Sequence, residues 1–136
     1  MESTVKLELF DHVGLVVKDV KATSESWSAK LGITDWRFTD AGILQLAHAK
    51  IGPMQYELLA PVEGKESLWA DFLKERGEGL HHICHTVPDV EEAVKKLVAE
   101  GGWLMTPPSK YYAYVKIGGP GSVILELLRT PKPKAE

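Results

Sequence analysis

Alternation of hydrophobic and polar positions predicts a β-strand at residues 7–17, which a helix and three further strands follow. The apolar residues of this first strand share one face: Val13, Leu15 and Val17. His12 therefore lies on the opposite face. Asp19 provides a helix N-cap and Gly32 a left-handed stop, with apolar residues at helical spacing between them. Turn residues then separate three predicted strands, at 35–38, 43–48 and 54–60.

This βαβββ plan recurs in the second half of the chain. Seven pairs of identical or similar residues stand 70 positions apart: His12 and His82, Val13 and Ile83, Val17 and Val87, Asp19 and Asp89, Val20 and Val90, Ala29 and Ala99, and Gly32 and Gly102. The second module is predicted as a strand at 80–87, a helix from the Asp89 cap to Gly101–Gly102, and strands at 103–105, 111–117 and 122–129. The helical spacing of apolar residues within 66–76 predicts a connecting helix, and its aromatic side chains are expected to pack against the sheets.

The order of the predicted helices and strands is that of an α+β fold over residues 1–136. A single domain is expected, because 136 residues with 44% hydrophobic content suffice for one core and hardly for two. Its parts are module one at about 5–62, the connector at about 63–78, module two at about 79–130 and a solvated tail at 131–136.

Each module carries a histidine in its first strand and a glutamate in its last strand. The histidines, His12 and His82, stand 70 positions apart, and the glutamates, Glu57 and Glu126, stand 69 positions apart. Strand alternation places both glutamates on the face away from the helices. An isolated buried carboxylate costs several kcal/mol, so each must be neutralised, paired or bound to a cation. Two repeated modules can bring two imidazoles and two carboxylates to one point, which predicts a divalent-metal site formed by His12, Glu57, His82 and Glu126.

Other interpretations exist for each of these residues taken singly. His12 could be a hydrogen-bonded packing residue, and Glu57 could lie at an exposed edge or pair with a lysine. Glu126 could pair with Arg129 or Lys116. Among the remaining candidates, His81 and His85 fall on the strand face opposite His82, His48 looks peripheral, and Cys84 is more typical of an apolar filler than of a ligand.

Composition and charge narrow the choice of partners. A net charge of -3 with interspersed signs favours neither nucleic acid nor a membrane surface, so small molecules are expected. No signal-peptide pattern and no apolar run of membrane-spanning length occurs, and the single cysteine fits a reducing compartment, so the cytoplasm is expected.

Two long segments resemble the vicinal oxygen chelate superfamily, which includes glyoxalases, bleomycin resistance proteins and extradiol dioxygenases. They are Tyr56-Glu57-Leu58-Leu59-Ala60-Pro61 and Gly77-Glu78-Gly79-Leu80-His81-His82-Ile83-Cys84, and both are closest to its methylmalonyl-CoA epimerase and glyoxalase I branches. Asp11-His12-Val13-Gly14 and Val123-Ile124-Leu125-Glu126-Leu127 resemble its first and last ligand strands. The resemblance implies two paired βαβββ modules forming a concave, incomplete barrel, usually in a homodimer, and makes His12, Glu57, His82 and Glu126 the metal ligands.

The activity implied by this resemblance is removal of a proton alpha to a carbonyl through a metal-bound enediolate or enolate, on an acyl thioester or another carbonyl compound. Zn, Ni, Co, Mn and Fe all suit the mixed ligand set. Methylmalonyl-CoA epimerase-like chemistry is expected first. The alternatives are a glyoxalase I-type lactoylglutathione lyase, an extradiol-type dioxygenase and a non-catalytic drug-binding protein.

Two further groups of residues are expected at such a site. Gln45 is expected on the concave face, where it would orient substrate; because glutamine cannot abstract a proton, the base would be Glu57 or Glu126. If Ala113, Val115 and Ile117 face the helix, a substrate-binding wall is formed by Tyr112, Tyr114 and Lys116. These tyrosines could equally line a strand or a dimer contact.

The sequence also departs from the epimerase pattern in two places. The turn Ile117-Gly118-Gly119-Pro120-Gly121 is short, and Lys110-Tyr111-Tyr112-Ala113-Tyr114 stands where a Gly-rich stretch is usual.

Overall fold

Three helices and eight strands occur within residues 4–131, the part of the chain that the computed structural model describes. In chain order they are β1 (Phe10–Val16), α1 (Val20–Leu31), β2 (Arg37–Asp40), β3 (Leu44–Ile51), β4 (Met54–Pro61), α2 (Leu68–Arg76), β5 (Gly79–Val87), α3 (Val90–Ala99), β6 (Trp103–Leu104), β7 (Tyr112–Lys116) and β8 (Ile124–Arg129). The predicted α+β class and the two βαβββ modules are confirmed. Most of the predicted solvated tail, residues 132–136, lies outside the described residues.

The chain divides into two compact units whose boundaries differ from those of the predicted modules. One unit is His12–His81, and the other joins the described residues up to Asp11 with those from His82 onward. The N-terminal segment belongs to the second unit because its backbone pairs with β5 there. The amide of Glu8 donates to the carbonyl of Thr86 at 2.9 Å, and the amide of Thr86 donates to the carbonyl of Leu9 at 2.8 Å.

In the unit His12–His81, the strands lie in the order β2-β3-β4-β1, with β4 and β1 parallel and the other pairs antiparallel. Helix α1 packs on one face of this sheet, where Val17, Val20, Ala47, Leu58 and Ala60 form the core. Trp27 of α1 meets the ring of Tyr56 edge-on at 5.2 Å. This contact leaves the opposite sheet face for the neighbouring residue Glu57.

The second unit repeats this arrangement with strands in the order β5-β8-β7-β6. Strands β5 and β8 are parallel, and β7 is antiparallel to β8 and β6. Helix α3 covers one face, over a core that consists of Val87, Val90, Ala93, Ala113, Val115, Leu125 and Leu127. Glu126 lies between two core residues of its strand, so its side chain occupies the other face.

The capping residues predicted from the sequence begin and end the helices as expected. The carboxylates of Asp19 and Asp89 accept hydrogen bonds at 3.0 Å from the amides of Ala22 and Glu92, respectively. Helix α1 ends at Gly32, whose φ of 72° is left-handed. The predicted connector helix is also confirmed: α2 begins after a Ser67 cap, and the Phe72 ring packs edge-on against His81 of β5. No helix within residues 4–131 is both long enough and apolar enough to cross a bilayer.

Candidate functional site

His12 and Glu57 meet on the sheet face that α1 does not cover. Their strands β1 and β4 are parallel neighbours, with Gly14 opposite Glu57 in the register. The Nε2 atom of His12 lies 3.4 Å from Oε1 of Glu57, and the His12 side chain is buried. The first predicted histidine–glutamate pair is therefore formed within the unit His12–His81.

His82 and Glu126 form the equivalent pair in the other unit. Their strands β5 and β8 are parallel neighbours with Cys84 opposite Glu126, and Nε2 of His82 lies 3.1 Å from Oε1 of Glu126. Only 1% of His82 and 8% of Glu126 is exposed. In both units the residue opposite the glutamate, Gly14 or Cys84, follows the histidine by two positions. The sequence repeat is thus also a repeat of strand register.

Each pair offers donors that a divalent transition metal prefers. An imidazole nitrogen beside a carboxylate oxygen suits zinc, nickel, cobalt, manganese or iron. Burial strengthens this fit, because a desolvated carboxylate requires a hydrogen-bond donor or a cation close by. The alternative partner Arg129 is engaged elsewhere, since its guanidinium lies over the Tyr111 ring at 4.6 Å. The residues present therefore fit a metal ion chemically.

His48 was expected to be peripheral, and this prediction is wrong. It lies directly across the β3–β4 ladder from Glu57, and its Nε2 atom is 2.8 Å from Oε2 of that carboxylate. Its side chain is 22% exposed. This contact could have been predicted from the sequence. A hairpin that turns at Gly52-Pro53 pairs Ile51 with Met54, and counting outward from that pair along the two strands places His48 opposite Glu57.

Gln45 lies on the other sheet face, so the expectation that it shares the concave face with Glu57 is wrong. In the β3–β4 register Gln45 pairs with Ala60, whereas Glu57 pairs with His48. Cross-strand partners share a face, and Ala60 belongs to the core beneath α1. The amide side chain of Gln45 instead lines a surface cavity of about 430 Å³, together with Lys18, Lys21, Phe38 and others. Gln45 therefore lies too far around the strand to contact a substrate beside Glu57.

The tyrosines of β7 lie on the face predicted for them. Ala113 and Val115 belong to the core beneath α3, so the residues between and beside them occupy the face of Glu126: Tyr112, Tyr114 and Lys116. Tyr114 is only 3% exposed and pairs with Glu126 in the register. The Tyr112 ring meets the Tyr114 ring at 5.9 Å. A role of these three residues in substrate binding stays a prediction.

The other candidates of β5 behave as expected from strand alternation. His85 pairs with Leu127 of the α3-side core, on the face opposite Glu126, and its ring packs on Phe10 at 4.6 Å. Cys84 is buried, with its sulfur 3.8 Å from the carbonyl oxygen of His85. Neither observation adds a member to the predicted ligand set.

Comparison with known proteins identifies a family for most of the chain. A sequence model described as the Glyoxalase/Bleomycin resistance protein/Dioxygenase superfamily matches residues 11–117. A mitochondrial methylmalonyl-CoA epimerase of Dictyostelium discoideum is 43% identical over 61 residues, which are 44% of this chain and 36% of that relative's length. The match thus spans about a third of that relative.

Two solved structures of methylmalonyl-CoA epimerases share the fold at lower identity. The enzyme of Mycobacterium tuberculosis is 24% identical, with a TM-score of 0.76 over 96% of this chain and 92% of that chain. A variant of the Streptomyces coelicolor enzyme, in complex with 2-nitronate-propionyl-CoA, is 22% identical, with a TM-score of 0.77 over 93% of this chain and 100% of that chain. At these identities the similarity establishes the fold.

Proposed function

Because the chain belongs to the glyoxalase/bleomycin resistance protein/dioxygenase superfamily, we propose that it is a divalent-metal-dependent enzyme that abstracts a proton alpha to a carbonyl, as a methylmalonyl-CoA epimerase does. The observation that carries this proposal is the buried histidine–glutamate pair that recurs in both units at the same register position. The epimerase relatives support the reaction class.

The proposed ligands of one metal ion are His12 and Glu57 from one unit and His82 and Glu126 from the other. When bound by these donors, a divalent cation would supply positive charge to stabilise the carbonyl oxygen as the neighbouring carbon loses its proton.

The proton must be taken by a group of this chain within hydrogen-bond reach of the carbon. Because glutamine cannot abstract a proton, Glu57 and Glu126 remain the candidates among the predicted catalytic residues. Glu57 lies 3.4 Å from His12 and 2.8 Å from His48, whereas Glu126 lies 3.1 Å from His82. Displacing Glu57 would therefore also break its hydrogen bond to His48. We therefore assign proton transfer to Glu126 and a fixed ligand role to Glu57.

The substrate proposed is an acyl thioester, and this choice rests on the epimerase relatives. On the face of Glu126, the predicted wall of Tyr112, Tyr114 and Lys116 would add aromatic and cationic contacts. The homodimer implied by the resemblance stays a prediction, which analytical ultracentrifugation tests.

A glyoxalase I-type lyase is the second candidate, because that branch also implies a metal-ligand glutamate acting as the base. The contact of each glutamate with a histidine agrees with a base of this kind. Epimerase and lyase share the proton abstraction and differ in where the proton returns, so the substrate decides between them.

The test begins with metal analysis of protein purified without added ions, followed by titration with Co²⁺. One ion per chain, lost in His12→Ala and His82→Ala but retained in His85→Ala, is the expected result. Reconstituted protein is then incubated in deuterium oxide with methylmalonyl-CoA or a glutathione hemithioacetal, and alpha-deuterium incorporation is followed by NMR.

Exchange on methylmalonyl-CoA supports the epimerase, and exchange only on the hemithioacetal supports the lyase. Oxygen consumption with a catechol in the iron-loaded protein would support a dioxygenase instead. Undiminished small-molecule binding by metal-free protein, without exchange on any substrate, would overturn the enzymatic proposal.

A further inference from the structure

We propose that His48 is a positioning residue for Glu57, whose carboxylate it holds so that Oε2 is hydrogen-bonded and Oε1 is presented to the metal ion. This inference rests on the proposed function above. It assigns a role to a histidine that the sequence pattern alone did not single out.

The contact distances separate the two oxygens of Glu57. Nε2 of His48 lies 2.8 Å from Oε2, whereas Nε2 of His12 lies 3.4 Å from Oε1. The shorter distance is that of a charge-assisted hydrogen bond to a carboxylate, and the longer one exceeds the usual range for such a bond. Oε2 therefore has a protein donor, His48, at hydrogen-bond distance.

Backbone pairing keeps this contact in place. His48 and Glu57 are direct partners in the antiparallel ladder of β3 and β4, which runs from the Leu44–Pro61 pair to the Ile51–Met54 pair. Direct partners have Cβ atoms about 4.5–5.5 Å apart, so two side chains on one face reach each other without strain. The ladder, rather than a mobile loop, thus sets the orientation of the carboxylate.

Hydrogen-bond chemistry also determines which ring nitrogen of His48 carries a proton. An ionised carboxylate can only accept, so Nε2 must be the donor. The hydrogen bond of a histidine selects its tautomer, and the Nε2–H form is expected here even before any metal binds. This expectation can be measured in the metal-free protein.

The other unit has a different residue at the equivalent position. Tyr114 is the ladder partner of Glu126, and its ring packs against His82 with centroids 4.8 Å apart. The two glutamates of the repeat therefore have unlike ladder partners, a histidine for Glu57 and a tyrosine for Glu126. This difference agrees with a fixed ligand role for Glu57 and proton transfer by Glu126.

The test compares four variants in Co²⁺ affinity, measured by competition with a chromophoric chelator. His48→Ala is expected to weaken binding by about 10–100-fold, the usual effect of losing a hydrogen-bond partner of a metal ligand. His48→Gln, whose amide N–H can donate to Oε2, is expected to recover most of the affinity. His85→Ala, the matched control, and wild type should bind alike. His48→Leu repeats the measurement should the alanine variant unfold.

A second measurement uses the metal-free protein. Nitrogen-15 NMR of the imidazoles is expected to show a protonated Nε2 for His48, and in Glu57→Gln this signal should shift. An Nε2 without a proton, or a His48→Ala affinity within twofold of wild type, would overturn the proposal.

The outcomes also distinguish this inference from the proposed function. If Glu57→Ala and His12→Ala bind Co²⁺ as wild type does, the metal site itself is wrong and the role of His48 is overturned with it. If those two variants lose binding while His48→Ala does not, the metal site is supported and only the role of His48 is overturned.

Discussion

Tyr114 stacks on His82 with their ring centroids 4.8 Å apart and the planes tilted by 35°. Both side chains are buried, and Tyr114 also stands across the β7–β8 ladder from Glu126. A rigid aromatic surface therefore contacts the imidazole of the second histidine–glutamate pair. The backbone amide of Tyr114 donates a hydrogen bond to the Thr106 hydroxyl at 3.2 Å, which fixes the strand at this point.

Tyr114→Ala is expected to lower the free energy of unfolding by about 3 kcal/mol, because truncating a buried aromatic residue leaves a cavity. Tyr111→Ala is the control, since Tyr111 is 60% exposed and its contact is a cation–π interaction with Arg129. It should lose no more than about 1 kcal/mol. Urea denaturation measures both variants, and equal losses would contradict the packing role of Tyr114.

Glu126→Gln is expected to lower turnover by about 10²–10⁴-fold, because the amide cannot accept the proton that the proposed mechanism transfers. The fold should persist, since the two side chains have nearly the same shape. Deuterium exchange on the substrate gives the rate, and circular dichroism checks the fold. Glu92→Gln, at an exposed position of α3, is the control. A Glu126→Gln protein of undiminished activity would remove this residue from the mechanism.

Gly102→Ala is expected to destabilise the protein more than Gly32→Ala. A Cβ at position 102 would lie 2.8 Å from the carbonyl oxygen of Leu97 and 3.1 Å from Val115, whereas one at position 32 would meet nothing within 4 Å. Overpacking of this kind costs about 1–3 kcal/mol. Gly32 has a φ of 72°, and an alanine there pays only the left-handed strain of about 1–2 kcal/mol.

Thermal unfolding followed by circular dichroism ranks these two glycine variants. The order is informative because the two glycines are equivalent in the repeat but differ in their surroundings. A larger loss in Gly32→Ala would show that the strand packing around Gly102 is looser than described.

Leu58→Ala and Leu127→Ala are each expected to lower the free energy of unfolding by about 2–5 kcal/mol. Both leucines are fully buried, one in the core beneath α1 and the other in the core beneath α3. Denaturant titration measures the losses. Leu31→Ala, at an exposed position of α1, should change stability little. A loss below about 1 kcal/mol at either core position would contradict the assignment of that core.

Much of the fold followed from local patterns in the sequence. Strand alternation assigned the faces of His12 and Glu57 correctly, because a side chain's face depends only on its own strand once one core residue is known. The capping residues Asp19 and Asp89 located the helix starts, since a cap acts on amides three residues away. The repeat then indicated which histidine and which glutamate belong together in each unit.

Tertiary structure decided what depends on pairing between strands. His48 reaches Glu57 because the β3–β4 register sets the partners across the ladder. Gln45 lies on the other face because Ala47 of its own strand packs into the core beneath α1. The N-terminal residues likewise join the second unit through hydrogen bonds to Thr86, some 77 positions away. The sequence determines the chemistry of each residue and the local periodicity of each element. The neighbours across a ladder are determined only when separate segments of the chain pair in the folded protein.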